Sequence, residues 1–134
     1  MAYLKPPLFV RRVFNPLAMR LGISGTATLS VPTRSAGRRQ KVPVIPAHHD
    51  GGRYLVSTRG ESDWVRNLRA AGGRADLRTG GATEAVGTVE LPVEQRPPII
   101  AAYRRAAGRT VDSYFVKLPD PADHPVFRIE PGTG

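Results

Sequence analysis

Apolar residues in this chain come in short runs that are separated by glycine, proline and charged residues. Runs of this kind, bounded by turn residues, are typical of β-strands. The pattern predicts six strands, over residues 26–31, 42–47, 53–58, 75–79, 82–91 and 125–130. We expect the first three to pair as an antiparallel meander. Gly80-Gly81 should connect the fourth and fifth as a hairpin.

Three segments between these strands have the apolar spacing of short helices. The first starts at Ser62 or Asp63 and should end at Gly72-Gly73. The second opens near Val93, with Pro97-Pro98 as an early interruption, and fades by Gly108. The third covers residues 111–118. Strands in hairpins with a few short helices predict a mainly β, α+β fold, a small antiparallel barrel with helical decoration.

Residues 6–21 mix apolar and basic side chains at helical spacing, and Pro16 divides them into two short pieces. Such a segment either packs its apolar face on the domain, which we favour, or contacts an anionic membrane surface. We therefore separate a basic amphipathic segment, residues 1–21, from a domain of residues 22–131. The sequence contains no obvious secretion signal and no run of 18 apolar residues. We expect a cytoplasmic protein, or one peripheral at the inner face of the cell membrane.

Charge is distributed unevenly along the 134 residues, whose net charge is +9. Residues 1–49 contain eight Lys and Arg residues and no Asp or Glu; Asp50 is the first acidic residue. Half of these eight cations lie in the turn 33–41. Binding to nucleic acid is not expected, because only nine aromatic residues occur and none lies in this turn. The absence of cysteine excludes disulfides and thiolate metal sites. The three histidines do not have the spacing of a metal site.

The basic turn is the main candidate site, since Arg presents a planar fork of donors that pairs with phosphate or carboxylate oxygens. A solvated turn that only carries charge is an equal alternative. Arg59 is a second candidate, because it follows a strand end. Trp64 and Asn67 share one face of the first predicted helix. A lone Trp is more often core than ligand contact, whereas a buried Asn needs partners.

Three stretches together resemble the deazaflavin-dependent nitroreductase family, whose members use coenzyme F-420 on a split β-barrel. The turn 33–37, followed by Val42-Pro43-Val44, resembles the family's Gly-Arg-Lys-Ser-Gly signature. Ser57-Thr58-Arg59-Gly60 is similar to its Ser-Lys-Gly-Gly motif. Residues 64–70 match its Trp-x-x-Asn-Leu-x-Ala helix. The resemblance covers roughly residues 13–130 and implies an antiparallel split β-barrel of the FMN-binding kind.

The resemblance also implies a coenzyme site and a role for each part of it. The implied contacts are Arg34, Ser35, Ala36, Gln40 and Lys41 at the phosphate and glutamyl tail, Val42, Pro43, Val44 and Ile45 beside the ring, Val56, Ser57, Thr58 and Arg59 at its polar edge, and Trp64, Val65, Arg66 and Asn67 in the pocket wall. Tyr114 falls near the substrate, so Tyr114 or a hydroxyl such as Ser57 could donate a proton.

The implied function is a deazaflavin-dependent oxidoreductase that transfers hydride to a small organic acceptor such as a quinone, an enone or a nitro compound. A homodimer is an option that the family suggests. The alternatives are a non-catalytic barrel that binds coenzyme F-420 or FMN, and a basic module that binds nucleic acid or anionic lipid. FMN is the alternative cofactor.

Overall fold

The computed structural model describes residues 26–35 and 37–132, and these contain one antiparallel sheet of seven strands. The strands are β1 (Ala27–Pro32), β2 (Arg39–Val44), β3 (Ala47–His49), β4 (Gly52–Val56), β5 (Ala75–Thr79), β6 (Ala82–Glu90) and β7 (Val126–Pro131). Their order across the sheet is β2-β1-β5-β6-β7-β4-β3. The sheet curls into a half-barrel, so the expected split β-barrel of the α+β class is confirmed. The predicted segment 1–21 lies outside the described residues.

The predicted second strand, residues 42–47, is two strands in the structure. β2 pairs with β1, where Ala27 lies opposite Val44, whereas β3 pairs with β4, where Ala47 lies opposite Tyr54. Pro46 lies between them and has no N–H to donate to a sheet ladder, which favours a break at this point. The other neighbour of β4 is the C-terminal strand β7. The prediction of a three-strand meander was therefore wrong.

The three predicted helices form; the first starts where expected, and the second starts later than expected. They are α1 (Asp63–Ala70), α2 (Pro97–Ala107) and α3 (Asp112–Lys117). The expectation that Pro97-Pro98 interrupts a helix was wrong, because α2 begins at these prolines. The first turn of a helix has N–H groups without intrahelical partners, so proline is tolerated there. Residues Val93–Gln95 before it form a separate 3-10 turn.

Two apolar cores lie on opposite faces of the sheet, because successive side chains of a strand alternate between faces. The inner core contains Leu29, Val31, Leu55, Leu77 and Phe127 among its members, and helix α1 packs against it. The outer core lies under α2 and α3; its residues include Ala47, Val56, Ile99, Tyr103, Phe115 and Val126. Burial of apolar surface on both faces supplies the main stabilising free energy of such a sheet.

Helix α1 is the element that brings the candidate site to the inner face. Val65 and Leu68 are fully buried in the inner core, and the Trp64 ring lies 5.9 Å from that of Phe127. Gly73 ends the connection with a φ of 82°, and a Cβ there would lie 2.5 Å from the Thr88 carbonyl oxygen. The predicted glycine stop after this helix is therefore confirmed.

Candidate functional site

Thr33 makes hydrogen bonds to two other residues of the basic turn between β1 and β2. The Thr33 N–H donates to the Arg38 carbonyl at 3.0 Å, and the Thr33 hydroxyl donates to the Ser35 carbonyl at 2.7 Å. Gly37 has a φ of 77° and open space where a Cβ would lie. The turn thus offers, at Gly37, a backbone position that an incoming ligand can approach closely.

Asn67 on α1 joins this turn to the helix that carries Trp64. Its side chain is 4% exposed, and its Oδ1 accepts from both the Arg34 backbone N–H at 3.1 Å and the Arg34 Nε at 3.0 Å. Its Nδ2 donates to Gln40 Oε1 at 2.8 Å. Asp63 Oδ1 accepts from Arg34 Nη2 at 3.4 Å. We call these four residues, Arg34, Gln40, Asp63 and Asn67, the Asn67 cluster.

The cluster supplies the partners that a buried amide requires. It also holds Arg34 against α1 while about half of the Arg34 side chain stays exposed. A guanidinium in this position is oriented in advance and can still contact an anion from solvent. Of the two interpretations of the basic turn, an ordered anion contact fits Arg34 better than a loose solvated charge.

The strand register separates the remaining basic residues of the turn region. Gln40 lies opposite Val31 and faces the inner core, whereas Lys41 lies opposite Ser30 on the outer face. Arg39 is also on the outer face, where its guanidinium donates to Ser30 Oγ at 2.9 Å and to Asp76 Oδ2 at 3.2 Å. The structure therefore does not bring Lys41 to the Asn67 cluster, because neighbouring residues of a strand point to opposite faces.

Arg59 and Tyr114 form the second part of the candidate site. Arg59 Nη2 donates to Tyr114 Oη at 2.9 Å, and its guanidinium carbon lies 5.2 Å from the ring centroid. Both residues are half-buried. The neighbouring Tyr103 is buried, and its desolvation together with the nearby Tyr114 raises the pKa of its phenol to about 12, although Arg59 lowers it. The structure thus brings a cation and a phenol together beside the outer core.

The loop that carries Arg59 is fixed through Ser57, which is 1% exposed. The Ser57 hydroxyl donates to the Gly60 carbonyl at 2.6 Å, and its N–H donates to the Pro125 carbonyl at 2.9 Å. A buried hydroxyl that already donates within its own loop is not available to a substrate. Ser57 is therefore a poorer candidate for proton donation than Tyr114, whose role stays a prediction.

Several residues that were expected to contact the coenzyme do not line an open pocket. Val65 lies wholly inside the inner core, and Val56 packs in the outer core under α2, so neither side chain presents open surface to a coenzyme. Trp64 is half-buried and packs on the inner core, as expected for a lone Trp. The other residues proposed from the resemblance are exposed (Ser35, Arg66), half-buried (Val42, Pro43, Val44, Ile45, Thr58) or outside the described residues (Ala36).

Two buried polar side chains, those of Arg96 and His124, were not identified as buried from the sequence. Arg96 is 7% exposed and donates to the Leu91 carbonyl at 3.1 Å and to the Pro121 carbonyl at 3.2 Å. It also lies 3.4 Å from a carboxylate oxygen of Glu90. His124 is fully buried. The run Pro125-Val126-Phe127, which directly follows His124, is the only local signal of its burial.

Residues 26–35 and 37–132 contain neither a metal-ligand cluster nor a membrane-spanning helix. No group of three or more metal-ligating side chains occurs in this part of the chain. None of its helices has the length and apolar character that crossing a membrane requires.

Comparison with known proteins identifies the fold and leaves the family open. No family model matches the sequence, and a search of curated proteins gives no significant match. An F420-H2-dependent reductase (FDR-A) superimposes with a TM-score of 0.60 at 18% identity, over 79% of this chain and 94% of the other. A protein described as a domain-swapped dimer gives 0.61 at 18% identity, over 91% and 97%.

The heme storage protein HutZ from Vibrio cholerae is similar in the same way. It gives a TM-score of 0.60 at 14% identity, over 88% of this chain and 89% of the other. A reductase and a storage protein thus share this architecture, so the fold places the chain among split-barrel proteins without choosing between catalysis and storage.

Proposed function

We propose that this protein is a deazaflavin-dependent oxidoreductase that binds coenzyme F-420 and reduces a small organic acceptor such as a quinone, an enone or a nitro compound. The observation that carries the proposal is Asn67, whose buried amide joins the cation-rich turn to the helix of the only Trp. This contact links two of the three stretches on which the resemblance to deazaflavin-dependent nitroreductases depends. The F420-H2-dependent reductase among the fold neighbours supports the same class.

The residues present suit the two chemical parts of such a coenzyme. Arg34 offers a half-exposed guanidinium to phosphate, and Gly37 lets a ligand approach the backbone. Gln40 lies on the same face of β2 as Val42 and Val44, which pack with Trp64 on the inner core. An apolar wall that continues from a polar, cationic end fits a flat ring with an anionic tail.

Tyr114 is the residue that we assign to the proton step. A reduced deazaflavin supplies a hydride, and the reduced acceptor then needs a proton. Because the Tyr114 oxygen accepts a hydrogen bond from Arg59, its own O–H remains available to donate. Arg59 would also place a positive charge near the oxygen of an organic substrate bound beside Tyr114. That charge would stabilise negative charge that develops on the substrate during reduction.

A binding experiment tests the proposal. Purified protein is titrated with oxidised coenzyme F-420 and, separately, with FMN, and fluorescence is followed. We expect Arg34→Ala and Arg59→Ala to weaken coenzyme binding by roughly 1–3 kcal/mol each, the range for a lost charge-assisted hydrogen bond. Arg39→Ala is the matched control, since it removes an equal charge from the same region but on the outer face.

The outcomes separate the alternatives. Absence of binding to either ligand would sink the proposal, and binding of FMN alone would redirect it to a flavin protein. Binding of coenzyme F-420 without reduction of a quinone or a nitro compound would identify a non-catalytic binding barrel. Equal loss of affinity in Arg34→Ala and Arg39→Ala would show that only net charge matters and that the site has been misplaced.

Assembly and location remain proposals that go with this function. A homodimer is suggested by a fold neighbour that is described as a domain-swapped dimer. Light scattering of the full chain would decide it. Contact of residues 6–21 with an anionic membrane, where quinones occur, is tested by sedimentation with vesicles that contain or lack anionic lipid.

A further inference from the structure

The ring of His124 makes two contacts that one neutral imidazole cannot satisfy. Nδ1 lies 2.8 Å from the Ser57 carbonyl oxygen, and Nε2 lies 2.6 Å from the Leu118 carbonyl oxygen. A carbonyl oxygen only accepts hydrogen bonds, and a neutral histidine ring has a single N–H. Two hydrogen bonds therefore require a proton on both nitrogens. With one proton missing, a lone pair would face a carbonyl oxygen in a fully buried place, which costs free energy.

The two carbonyl groups belong to the two segments that carry the Arg59–Tyr114 pair. Ser57 precedes Arg59 by two residues in the same loop. Leu118 follows α3, and its N–H donates to the Tyr114 carbonyl at 2.9 Å. His124 therefore crosslinks the backbone of the Arg59 loop to the end of the helix that presents Tyr114.

The surroundings of the ring include groups of both charges. The Phe115 ring lies 4.4 Å away and presents an aromatic face that can interact with a cation. Arg96 lies 3.5 Å from the His124 carbonyl oxygen, and Glu90 pairs with Arg96. The elements around the ring also carry charged groups, which include Arg59, Arg104, Arg105, Asp112, Lys117, Asp120 and Asp123. A cavity of about 290 Å³, lined by His124, Phe115, Ile100 and Arg104 among others, lies beside the ring.

We infer that His124 is a positioning residue whose doubly protonated ring holds the Arg59 loop against α3 and thereby aligns Arg59 with Tyr114. Loss of one ring proton removes one of the two crosslinks and loosens the Arg59–Tyr114 hydrogen bond. The alignment therefore depends on the second ring proton, because each ring nitrogen needs an N–H to donate to its carbonyl oxygen. The consequence for turnover rests on the proposed function, whereas the crosslink itself does not.

Nuclear magnetic resonance of the coenzyme-free protein tests the crosslink. Imidazole nitrogen spectra are recorded from about pH 5.5 to about pH 8.5, with a His48→Gln/His49→Gln variant that leaves His124 as the only ring. We expect both His124 nitrogens to be protonated at the acidic end and one of them to lose its proton as the pH rises. A His124 nitrogen that is already unprotonated at the acidic end of a folded sample would overturn the inference.

The Tyr114 ring resonance, assigned with Tyr114→Phe, reports on alignment. It should shift over the same pH interval as the His124 ring, keep that shift in His49→Gln, and lose it in His124→Gln. A Tyr114 resonance that does not shift when the His124 ring changes its protonation in the wild-type protein would refute the positioning role, even if His124→Gln failed to fold.

If the coenzyme is bound and turned over, kcat should fall about fivefold across this interval, the effect of about one hydrogen bond, with KM little changed. The decline should be absent in His124→Gln. A wild-type kcat that does not change with pH would contradict this step. Because the resonance measurements use no coenzyme, they remain decisive if the proposed function fails.

Discussion

The Asn67 cluster and the Arg59–Tyr114 pair are the two parts of the candidate site, and they are held in different ways. In the first, a neutral buried amide contacts the turn directly and makes three hydrogen bonds to Arg34 and Gln40. In the second, two half-buried side chains meet each other, while the segments that carry them are joined through the buried ring of His124.

This difference separates a rigid part from an adjustable one. The Asn67 contacts do not depend on a proton, so the position of Arg34 should be the same at all pH values near neutrality. The position of Arg59 relative to Tyr114 should respond to protonation and to substrate. Binding of an anionic tail benefits from an arrangement made in advance, whereas proton transfer needs a donor that can change its partner.

Removal of the Asn67 amide should have the largest effect. Asn67→Ala leaves the Arg34 N–H and the Gln40 amide without their partner in a partly buried region, so we expect a loss of about 3 kcal/mol in the free energy of unfolding. Urea denaturation measures this. Asn67→Asp is the matched variant, because it keeps the acceptor for Arg34 but adds a negative charge, and it should weaken coenzyme binding more than stability. An unchanged unfolding midpoint in Asn67→Ala would mean that the cluster does not hold the turn.

Tyr114→Phe tests the adjustable part. If the phenol donates the proton, kcat should fall roughly a hundredfold, the lower end for loss of a general acid. Coenzyme affinity should stay within about twofold, since Tyr114 is not placed at the coenzyme tail. Steady-state reduction of a quinone by reduced coenzyme F-420 measures kcat. Full activity in this variant would assign the proton to another group or to water.

Tyr103 gives the Arg59–Tyr114 part its own dependence on pH. Its pKa is raised from 10.0 to about 12 because burial disfavours the phenolate. Below pH 10 the Tyr103 phenol keeps its proton in both the folded and the unfolded protein. Between pH 10 and pH 12 only the folded protein keeps the Tyr103 proton, so the free energy of unfolding should fall with rising pH, by roughly 2–3 kcal/mol in total. Denaturation of the wild-type protein and of Tyr103→Phe over this range isolates the effect, which should be missing in the variant. Equal slopes would contradict it.

Substitutions of Lys41 and Gln40 should have the smallest effects on coenzyme binding, and their comparison tests directly which face of β2 carries the site. Lys41→Ala removes a charge on the outer face, so its effect on coenzyme binding should be under about 0.5 kcal/mol. Gln40→Ala removes a partner of Asn67 and should weaken coenzyme binding by about 1 kcal/mol, although it changes no charge. Fluorescence titration of both variants measures this. A larger loss for Lys41→Ala would place the coenzyme tail on the outer face.

Much of the fold could be predicted from local patterns. The helix at residues 63–70, the glycine stop after it and the hairpin at Gly80-Gly81 all follow from periodicity and turn chemistry. The split of the second strand could not be predicted in this way, because both halves are apolar and Pro43 is tolerated in an edge strand. Pairing of β4 with the C-terminal β7 is a contact between distant segments that local patterns do not encode.

The candidate site was predictable as chemistry but not as geometry. The sequence indicates a cationic turn, and its resemblance to a family names Asn67 and Tyr114. Whether Gln40 or Lys41 faces the site depends on strand register. A slip of one residue in the register would move every side chain of the strand to the other face. The burial of Arg96 and His124 could not be predicted, since their carbonyl partners become neighbours only after folding.

By itself, the sequence determined where strands, helices and turns form, and that a cluster of guanidinium groups lies between two strands. These properties depend on side-chain periodicity and backbone preference over a few residues. Only the tertiary structure decided that Arg34 meets Asn67 across 33 positions and that Arg59 meets Tyr114 across 55. The physical reason is that such contacts are set by sheet register and by burial on two faces. Both are properties of the whole chain rather than of any one segment of it.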